Sequence, residues 1–267
     1  MRIALGIEYD GVTFTGWQTQ TGGRGVQDAV EGALSQIAGV ATSTICAGRT
    51  DSGVHALDQV IHFDTGAVRP LTAWVRGVNR FLPASVAVQW AQRVDDQFHA
   101  RYSARRRRYD YWILNAPVRS ALAHSRAGWV FRPINEQTMR EAAAHLIGRH
   151  DFTSFRSAEC QAATPVRHVE ALTVHRIGRL IRISVIANAF LHHMVRNIVG
   201  ALVYVGVGRR PQVWVNDVLH ARDRTVGAPT FAAAGLYLAR VEYDPALCLP
   251  APPAIEPAWV GLFIPKT

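Results

Sequence analysis

Segments with the two-residue period of a strand alternate along this chain with segments that have the 3.6-residue period of a helix. Residues 2–9 alternate as a strand, with Ile3, Leu5 and Ile7 on one face. The first third of the chain predicts strands at 2–9, 44–47, 60–63 and 86–92 and helices at 26–37 and 74–81. In chain order these segments read β-α-β-β-α-β, which is typical of an α+β fold.

The second half of the chain repeats this pattern. It predicts strands at 109–114, 171–176, 180–187 and 235–243 and helices at 136–147, 190–207 and 213–221. We therefore predict an α+β fold of two split β-α-β halves of ferredoxin or RNA-recognition-motif type. The halves are expected to share a continuous, mainly antiparallel sheet, with the active-site cleft between them.

Three segments are predicted: 1–104, 105–248 and a C-terminal tail, 249–267. The tail is rich in proline, which excludes a helix or an interior strand. Trp259, Leu262 and Phe263 are the side chains expected to attach it to the body of the protein.

The composition favours a polyanionic partner. The formal net charge is +9 and the pI is near 10.2, and neutralising phosphates releases counterions that drive association. All but one of the 29 basic residues are Arg, although a genome rich in Arg codons explains the same bias.

Three widely spaced cysteines argue against a disulfide framework or a cysteine zinc site. Without an apolar run of about 18 residues, a cytoplasmic protein that does not enter a membrane is expected.

An aspartate between two glycines is the best candidate for a reacting group. Residues 47–56 read Ala-Gly-Arg-Thr-Asp-Ser-Gly-Val-His-Ala, with Asp51 two residues after Arg49. Glycine permits backbone angles and close ligand approach, so such a loop can hold a carboxylate against a substrate. The structural alternative is a turn in which Asp51 bonds its own backbone. In an extended segment, Arg49 and Asp51 would project to the same side and form an ion pair.

The densest basic run leads directly into alternating aromatic residues. It consists of Arg105, Arg106, Arg107 and Arg108 and is followed by Tyr109 and Tyr111. Arginine contacts phosphates and an aromatic ring stacks on an extruded base, so the combination suits RNA. The alternatives are a solvated charged surface and two tyrosines at core positions of a strand.

Helical spacing places an arginine on the polar side of the predicted helix 190–207. Leu191, Val195 and Ile198 lie on one face, while Arg196 lies opposite with His192, His193, Asn197 and Gly200. A solvated surface charge or a buried ion pair is the simpler interpretation of Arg196.

Together these motifs resemble the tRNA pseudouridine synthase A family, over residues 2 to about 245. The matching strings are Leu-Gly-Ile-Glu-Tyr-Asp-Gly at 5–11, Gly-Trp-Gln-Thr-Gln at 16–20, the Asp51 loop, Phe-His-Ala-Arg at 98–101, Arg-Arg-Tyr-Asp-Tyr at 107–111, Asp-Phe-Thr-Ser-Phe at 151–155, residues 190–200 and Gly-Leu-Tyr-Leu at 235–238. The resemblance implies an isomerase that converts uridine to pseudouridine at tRNA positions 38, 39 and 40.

The resemblance also assigns roles to residues. It implies that Asp51 is the nucleophile, that Arg49 helps to extrude the base, and that Arg196 contacts Asp51 or the substrate. Tyr109 would stack on the uracil and is a candidate proton acceptor. Further substrate contacts are expected from His55, Leu236 and the run 105–108. The family implies a homodimer that binds tRNA and needs no cofactor or metal.

The residues alone leave two other functions open. His55, Asp58, His62 and Asp64 have the side chains of a metal-dependent nuclease or hydrolase, to which His192 and His193 could add, but their spacing fits no standard site. A non-catalytic RNA-binding module would also use split β-α-β halves with basic and aromatic residues. Asp51 argues against such a module, because a carboxylate repels phosphates.

Overall fold

The structure is a computed structural model and describes residues 1–251 and 256–263. Its strands are β1 (Arg2–Tyr9), β2 (Ile45–Cys46), β3 (His55–Asp64), β4 (Val86–Val94), β5 (Arg106–Asn115), β6 (Gly128–Val130), β7 (Gly148–Asp151), β8 (Val166–Ile177), β9 (Leu180–Ala187) and β10 (Leu236–Glu242). Its α-helices are α1 (Val26–Ala38), α2 (Val78–Phe81), α3 (Glu136–Ala144), α4 (Met194–Gly206) and α5 (Trp214–Ala221). Within the described residues, no helix is both long and apolar enough to span a lipid bilayer.

By its contacts the chain divides into two compact units. The first unit is Met1–Arg107 with the segment that starts at Tyr237, and the second is Arg108–Leu236 with the segment that starts at Ala258. The first boundary is close to the one predicted at 104. The strand β10 was expected in the second half, but it groups with the first unit because it pairs in parallel with β3, with Tyr237 opposite His55.

The first unit has the predicted β-α-β-β-α-β order, with its strands arranged as β4-β1-β3-β10 and β2 paired with β3. The strand β1 pairs antiparallel with both β3 and β4, so Leu5 lies opposite Ile61 on one side and Ala91 on the other. Ala4 and Leu5 are both fully buried, although they point to opposite faces. This strand is therefore interior to the sheet and covered on both sides.

In the second unit the strands follow the order β5-β9-β8-β7, and β6 pairs in parallel with β5. The strands β8 and β9 form the predicted hairpin, which turns at Gly178 with a φ of +58°. Strand pairing is antiparallel along β7, β8 and β9. The predicted α+β class with mainly antiparallel strands is confirmed.

The helix α4 begins at Met194, later than the predicted start at 190. His193 takes a left-handed backbone conformation with a φ of +63°, and the Met194 amide closes a turn on the Leu191 carbonyl. The predicted polar face of this helix is also packed: Asn197 is buried, and a Cβ on Gly200 would lie 2.5 Å from the Pro229 carbonyl oxygen. Neighbouring loops therefore cover the polar face of α4.

Residues 258–263 of the proline-rich tail pack on the rest of the second unit. Trp259 is buried, and its ring packs edge to face against Trp112 at 6.1 Å. The Arg179 guanidinium lies over the ring of Phe263 at 5.9 Å. Residues Ala258–Leu262 form a short 3-10 helix, so the expectation that the tail excludes any helix is wrong there. Leu262 is exposed and does not attach the tail.

Arg107 is an interior side chain of the first unit, not a surface cation. Only 8% of the residue is exposed. Its guanidinium donates to the Ala47 carbonyl from Nη2 at 2.9 Å and from Nε at 3.3 Å. Nη2 also donates to the Arg101 carbonyl at 2.6 Å, and Nη1 donates to the Ala104 carbonyl at 3.3 Å. One side chain thus fixes the segment before the Asp51 loop and the segment 101–104.

We expect Arg107→Ala to lower the free energy of unfolding by about 3 kcal/mol, because carbonyls that are left unsatisfied when buried cost roughly 1 to 3 kcal/mol each. Urea denaturation measures the change. The matched control is Arg105→Ala, since Arg105 is 62% exposed and forms a surface ion pair with Asp244. That change should cost no more than about 1 kcal/mol. Equal losses in the two variants would contradict the structural role of Arg107.

Candidate active site

Asp51 lies on a closed turn between β2 and β3. The Val54 amide donates to the Asp51 carbonyl at 3.1 Å, and Gly53 between them has a φ of +74°, which side-chain-bearing residues rarely adopt. The Ser52 hydroxyl donates to the Phe14 carbonyl at 3.3 Å. Asp51 itself is half-buried. The turn alternative and the reacting-group hypothesis are thus compatible, because the turn fixes the backbone that carries the carboxylate.

The segment 16–17 supports the residues at the start of this turn. Gly16 has a φ of +101°, and a Cβ there would lie 2.8 Å from the Thr50 carbonyl oxygen and 3.2 Å from the carbonyl carbon of Asp51. The Trp17 amide donates to the Thr50 carbonyl at 3.0 Å. The Thr50 hydroxyl is hydrogen-bonded to the Tyr9 hydroxyl at 2.8 Å in a buried position. Backbone and side chain of Thr50 are therefore both held directly before Asp51.

A buried amide supports the other end of the loop. Gln59 is fully buried on β3, and its Nε2 donates to the Gly48 carbonyl at 2.6 Å while its Oε1 accepts from the Gly48 amide at 3.4 Å. Sequence reasoning missed this residue. The available signal was a glutamine next to the apolar run Val60-Ile61, where a buried amide requires polar partners.

Arg49 is exposed, and within residues 1–251 and 256–263 its guanidinium forms no ion pair with Asp51. The predicted pair required an extended segment, in which residues i and i+2 share a face. Residues 47–50 belong to no strand, so a strand does not hold the two side chains on one face. The proposed role of Arg49 toward the base stays a prediction.

His55 is a buried support of the loop. The Gly11 amide donates to its Nδ1 at 3.2 Å, and an Asp10 carboxylate oxygen lies 3.2 Å from the same nitrogen. Its ring stacks on Tyr237 at 4.6 Å with an interplanar angle of 18°. Only 3% of His55 is exposed, so its surroundings favour packing, and the predicted substrate contact stays a prediction.

The other candidate metal ligands have separate partners. Asp58 accepts the Val241 amide at 3.0 Å, and burial raises the pKa of its carboxyl to about 6. His62 accepts the Ala100 amide at 3.1 Å, and burial lowers its pKa to about 4. Asp64 forms a two-bond ion pair with Arg2 at 2.8 and 2.7 Å. In the described parts of the chain, these three and His55 do not converge on a common metal position.

In the second unit Tyr109 lies on β5 and is 7% exposed. Its ring packs edge to face against Phe190, with centroids 4.9 Å apart. Tyr109 therefore occupies a core position of a strand, as the structural alternative predicts. Its hydroxyl stays a candidate proton acceptor. Tyr111 is fully buried, and its hydroxyl donates to the Ala232 carbonyl at 2.8 Å. Tyr111 therefore has a structural role, and the role of Tyr109 stays a prediction.

Arg196 lies in the first turn of α4 and is joined to the loop that precedes β10. Its Nε donates to the Phe231 carbonyl at 2.8 Å, and the Phe231 amide donates back to the Arg196 carbonyl at 3.3 Å. These two bonds fix the backbone of Arg196 and the Nε end of its guanidinium. Leu236, another predicted contact residue, is 5% exposed, and its amide donates to the Ala233 carbonyl at 2.9 Å.

The neighbour of Arg196 is a buried amide, which sequence reasoning placed on the polar face of the helix without predicting its burial. Asn197 donates from Nδ2 to the Phe155 carbonyl at 2.8 Å. Its Oδ1 accepts from the Thr230 hydroxyl at 2.7 Å and from Arg224 Nη2 at 3.0 Å. Asn197 therefore holds the first turn of α4, which carries Arg196, against two loops.

The basic run 105–108 is largely paired within the protein. Arg105 forms an ion pair with Asp244, and Arg106 pairs with Glu242 at 2.6 Å. Arg108 binds the buried Asp110 through two bonds, at 2.8 and 2.6 Å. The burial of Arg107 conflicts with the predicted phosphate contact there. For Arg105, Arg106 and Arg108 that contact stays a prediction.

Comparison with known proteins supplies the family. Residues 6–103 and 142–244 match the family described as tRNA pseudouridine synthase. The tRNA pseudouridine synthase A of Burkholderia lata is 55% identical over 261 residues, which cover 98% of this chain and 94% of the relative. The enzyme of the same name from Herminiimonas arsenicoxydans is 54% identical over 253 residues, covering 93% and 92%. That of Janthinobacterium sp. is 53% identical over 255 residues, covering 93% and 94%.

Among solved structures, a chain in a Cbf5-Nop10-Gar1 complex aligns with a TM-score of 0.37 at 13% identity. That alignment covers 88% of this chain and about half, 48%, of the other. The family match and the near full-length relatives show the family without this structural alignment. The resemblance seen in the sequence motifs is confirmed: this chain belongs to the tRNA pseudouridine synthase family and is an isomerase that acts on uridine in tRNA.

Proposed function

We propose that this enzyme forms pseudouridine at positions 38, 39 and 40 of tRNA, in the anticodon stem-loop, and that Asp51 is its nucleophile. The observation that carries the assignment of Asp51 is its half-buried carboxylate on a turn fixed from both ends. Membership of the family supports tRNA as the substrate. The choice of positions follows from the resemblance of the motifs to the A family.

The reaction exchanges one bond to the ribose for another. The N1–C1′ bond of uridine breaks, the uracil turns, and a C5–C1′ bond forms, while C5 loses a proton and N1 gains one. The carboxylate of Asp51 forms an adduct, at the ribose C1′ or on the uracil ring, and leaves again when the new bond is complete. The atoms balance without an oxidant or reductant, so we propose that no dissociable cofactor takes part.

Tyr109 and Arg196 are proposed to act on the same uridine as Asp51. The ring of Tyr109 would stack on the extruded uracil, and its hydroxyl would accept the C5 proton. Arg196, whose root is fixed by Phe231, would contact the carboxylate of Asp51 or the substrate. Arg49, exposed two residues before Asp51, would occupy the space left by the extruded base.

We also propose a cytoplasmic homodimer. A tRNA-modifying enzyme acts where tRNA is present, which favours the cytoplasm. The anticodon arm is large compared with one uridine, and two subunits related by a two-fold axis would provide a broader basic surface than one. Light scattering at micromolar concentration tests the dimer, and a fully active monomer would contradict it.

The substrate assignment predicts where pseudouridine forms. Unmodified tRNA transcripts that carry uridine at 38, 39 or 40 should gain pseudouridine at those positions and not at uridines outside the anticodon arm. Site-resolved chemical mapping after incubation with the purified protein measures this. The matched control is Asp51→Asn, which keeps the shape and removes the charge. It should bind the same tRNA and form no product.

Pseudouridine found only outside the anticodon arm would contradict the assignment of positions 38, 39 and 40. Turnover by Asp51→Asn within about tenfold of the parent, roughly 1.4 kcal/mol in barrier, would contradict the assignment of Asp51 as the nucleophile. Each of the two assignments can therefore fail without the other.

The two possible roles of Tyr109 predict different rates for its Phe and Leu variants. If the hydroxyl accepts the C5 proton, Tyr109→Phe should slow the single-turnover rate by about 10² to 10⁴ with tRNA affinity nearly unchanged. If the ring only stacks, Tyr109→Phe should react like the parent, and Tyr109→Leu should lose roughly 1 to 3 kcal/mol of base contact. We expect the first result. Equal rates for Tyr109→Phe and the parent at full tRNA occupancy would remove the hydroxyl from the mechanism.

A further inference from the structure

The turn that joins α4 to α5 carries two adjacent arginines, each over an aromatic ring. The Arg209 guanidinium lies over Tyr204 with its carbon 5.2 Å from the ring centroid, and that of Arg210 lies over Trp214 at 5.5 Å. The two rings stack on each other, with centroids 6.1 Å apart and an interplanar angle of 19°. Both arginines are exposed, and both rings are half-buried. We call the two arginines the arginine pair.

The backbone beneath the arginine pair is well supported. The Arg209 amide donates to the Tyr204 carbonyl at 2.9 Å, and the Trp214 amide donates to the Pro211 carbonyl at 3.1 Å. Gly208 permits the reversal with a φ of +74°. The last residue of α4, Gly206, accepts the Asn135 amide at 2.9 Å. The pair therefore projects from a fixed connection between two helices.

Stacking leaves the edges of these guanidiniums available. The N–H donors of arginine lie in the plane of the group, so a ring against its face does not occupy them. In the described residues, neither Arg209 nor Arg210 forms a hydrogen bond or ion pair through its side chain. The nearby carboxylate of Glu141 accepts a bond from Gln212. Two oriented cations with available donors suit phosphates, which arginine binds through paired bonds.

We infer that Arg209 and Arg210 bind two phosphates of the tRNA backbone, away from the uridine that reacts. Arg196 precedes the end of α4 by ten residues, which at 1.5 Å per residue is about 15 Å along the helix. The contact is therefore remote from the nucleotide near Arg196 and fixes the position of the RNA. The inference rests on the proposed function for the site of reaction, and on the family for tRNA as the ligand.

The test compares tRNA binding by the parent and by the double variant Arg209→Ala, Arg210→Ala over a range of salt concentrations. Loss of two phosphate contacts should reduce the slope of log affinity against log salt by about 1.4 to 1.8. It should weaken binding about tenfold near 0.1 M salt. The single-turnover rate at saturating tRNA should remain that of the parent. An unchanged slope and affinity would overturn the inference.

Two further variants distinguish a specific phosphate contact by the arginine pair from a general effect of net charge. Arg209→Lys with Arg210→Lys keeps both charges but loses the planar, stacked group, so binding should still weaken several-fold. Arg76→Ala with Arg80→Ala removes the same charge from exposed positions of the first unit and should change binding less. Parental affinity in the lysine variant, or equal losses in the two alanine variants, would show a general electrostatic effect and refute a specific site. Melting temperatures establish that each variant is folded.

The two proposals fail in different ways. If mapping finds no product at positions 38 to 40 while the double variant loses affinity, the reaction site is wrong and the phosphate contact stands. If the products are as expected and the affinity is unchanged, only the arginine pair is wrong.

Discussion

The close approach of two backbone segments at Gly11 and Gly16 is the constraint on which the Asp51 loop depends. A Cβ on Gly11 would lie 2.0 Å from the Val54 carbonyl oxygen, and one on Gly16 would lie 2.8 Å from that of Thr50. No side chain fits at either position. Segment 10–17 therefore packs directly against the turn that carries Asp51. Rigid support of this kind is what positions a reacting group, since a displacement of about 1 Å can cost a hundredfold in rate.

Several arginines of this protein bind its own carbonyl and carboxylate groups, which stabilises the fold. Arg107 binds carbonyls in the interior, and Arg108 neutralises a buried carboxylate. A count of basic residues therefore overstates the cations that are available to phosphates. Arg209 and Arg210 differ, because their faces rest on rings while their donors remain accessible. Geometry, more than charge density, separates the two classes.

The sequence predicts that the long elements exist, but it predicts the ends of several of them and the short elements poorly. The strand Arg2–Tyr9 was predicted with its observed bounds, because eight alternating residues give a clear period. The strands Gly128–Val130 and Gly148–Asp151 were missed, since three or four residues are too few to show one. The start of α4 was placed too early because the left-handed backbone of His193 leaves no trace in hydrophobic spacing.

The candidate site shows the same limit. The Asp51 loop was found because its motif is distinctive, but the pairing inferred for Arg49 failed when the segment turned out to be irregular. The partners of the basic run, Asp244 and Glu242, are more than 130 residues away in sequence and cannot be paired by inspection. Buried amides such as Gln59 carry no chemistry of their own, yet they hold the loop in place.

The central claim is that the packing of Gly16 against the turn positions Asp51 for reaction, and a pair of glycine variants tests it directly. An alanine would meet similar backbone strain at positions 16 and 22, where φ is +101° and +108°, but a Cβ on Gly22 would meet nothing within 4 Å. The measurement is the single-turnover rate of pseudouridine formation at saturating tRNA. We expect Gly16→Ala to be about tenfold to a hundredfold slower than the parent and Gly22→Ala to be close to it. Equal rates in the two folded variants would contradict the account.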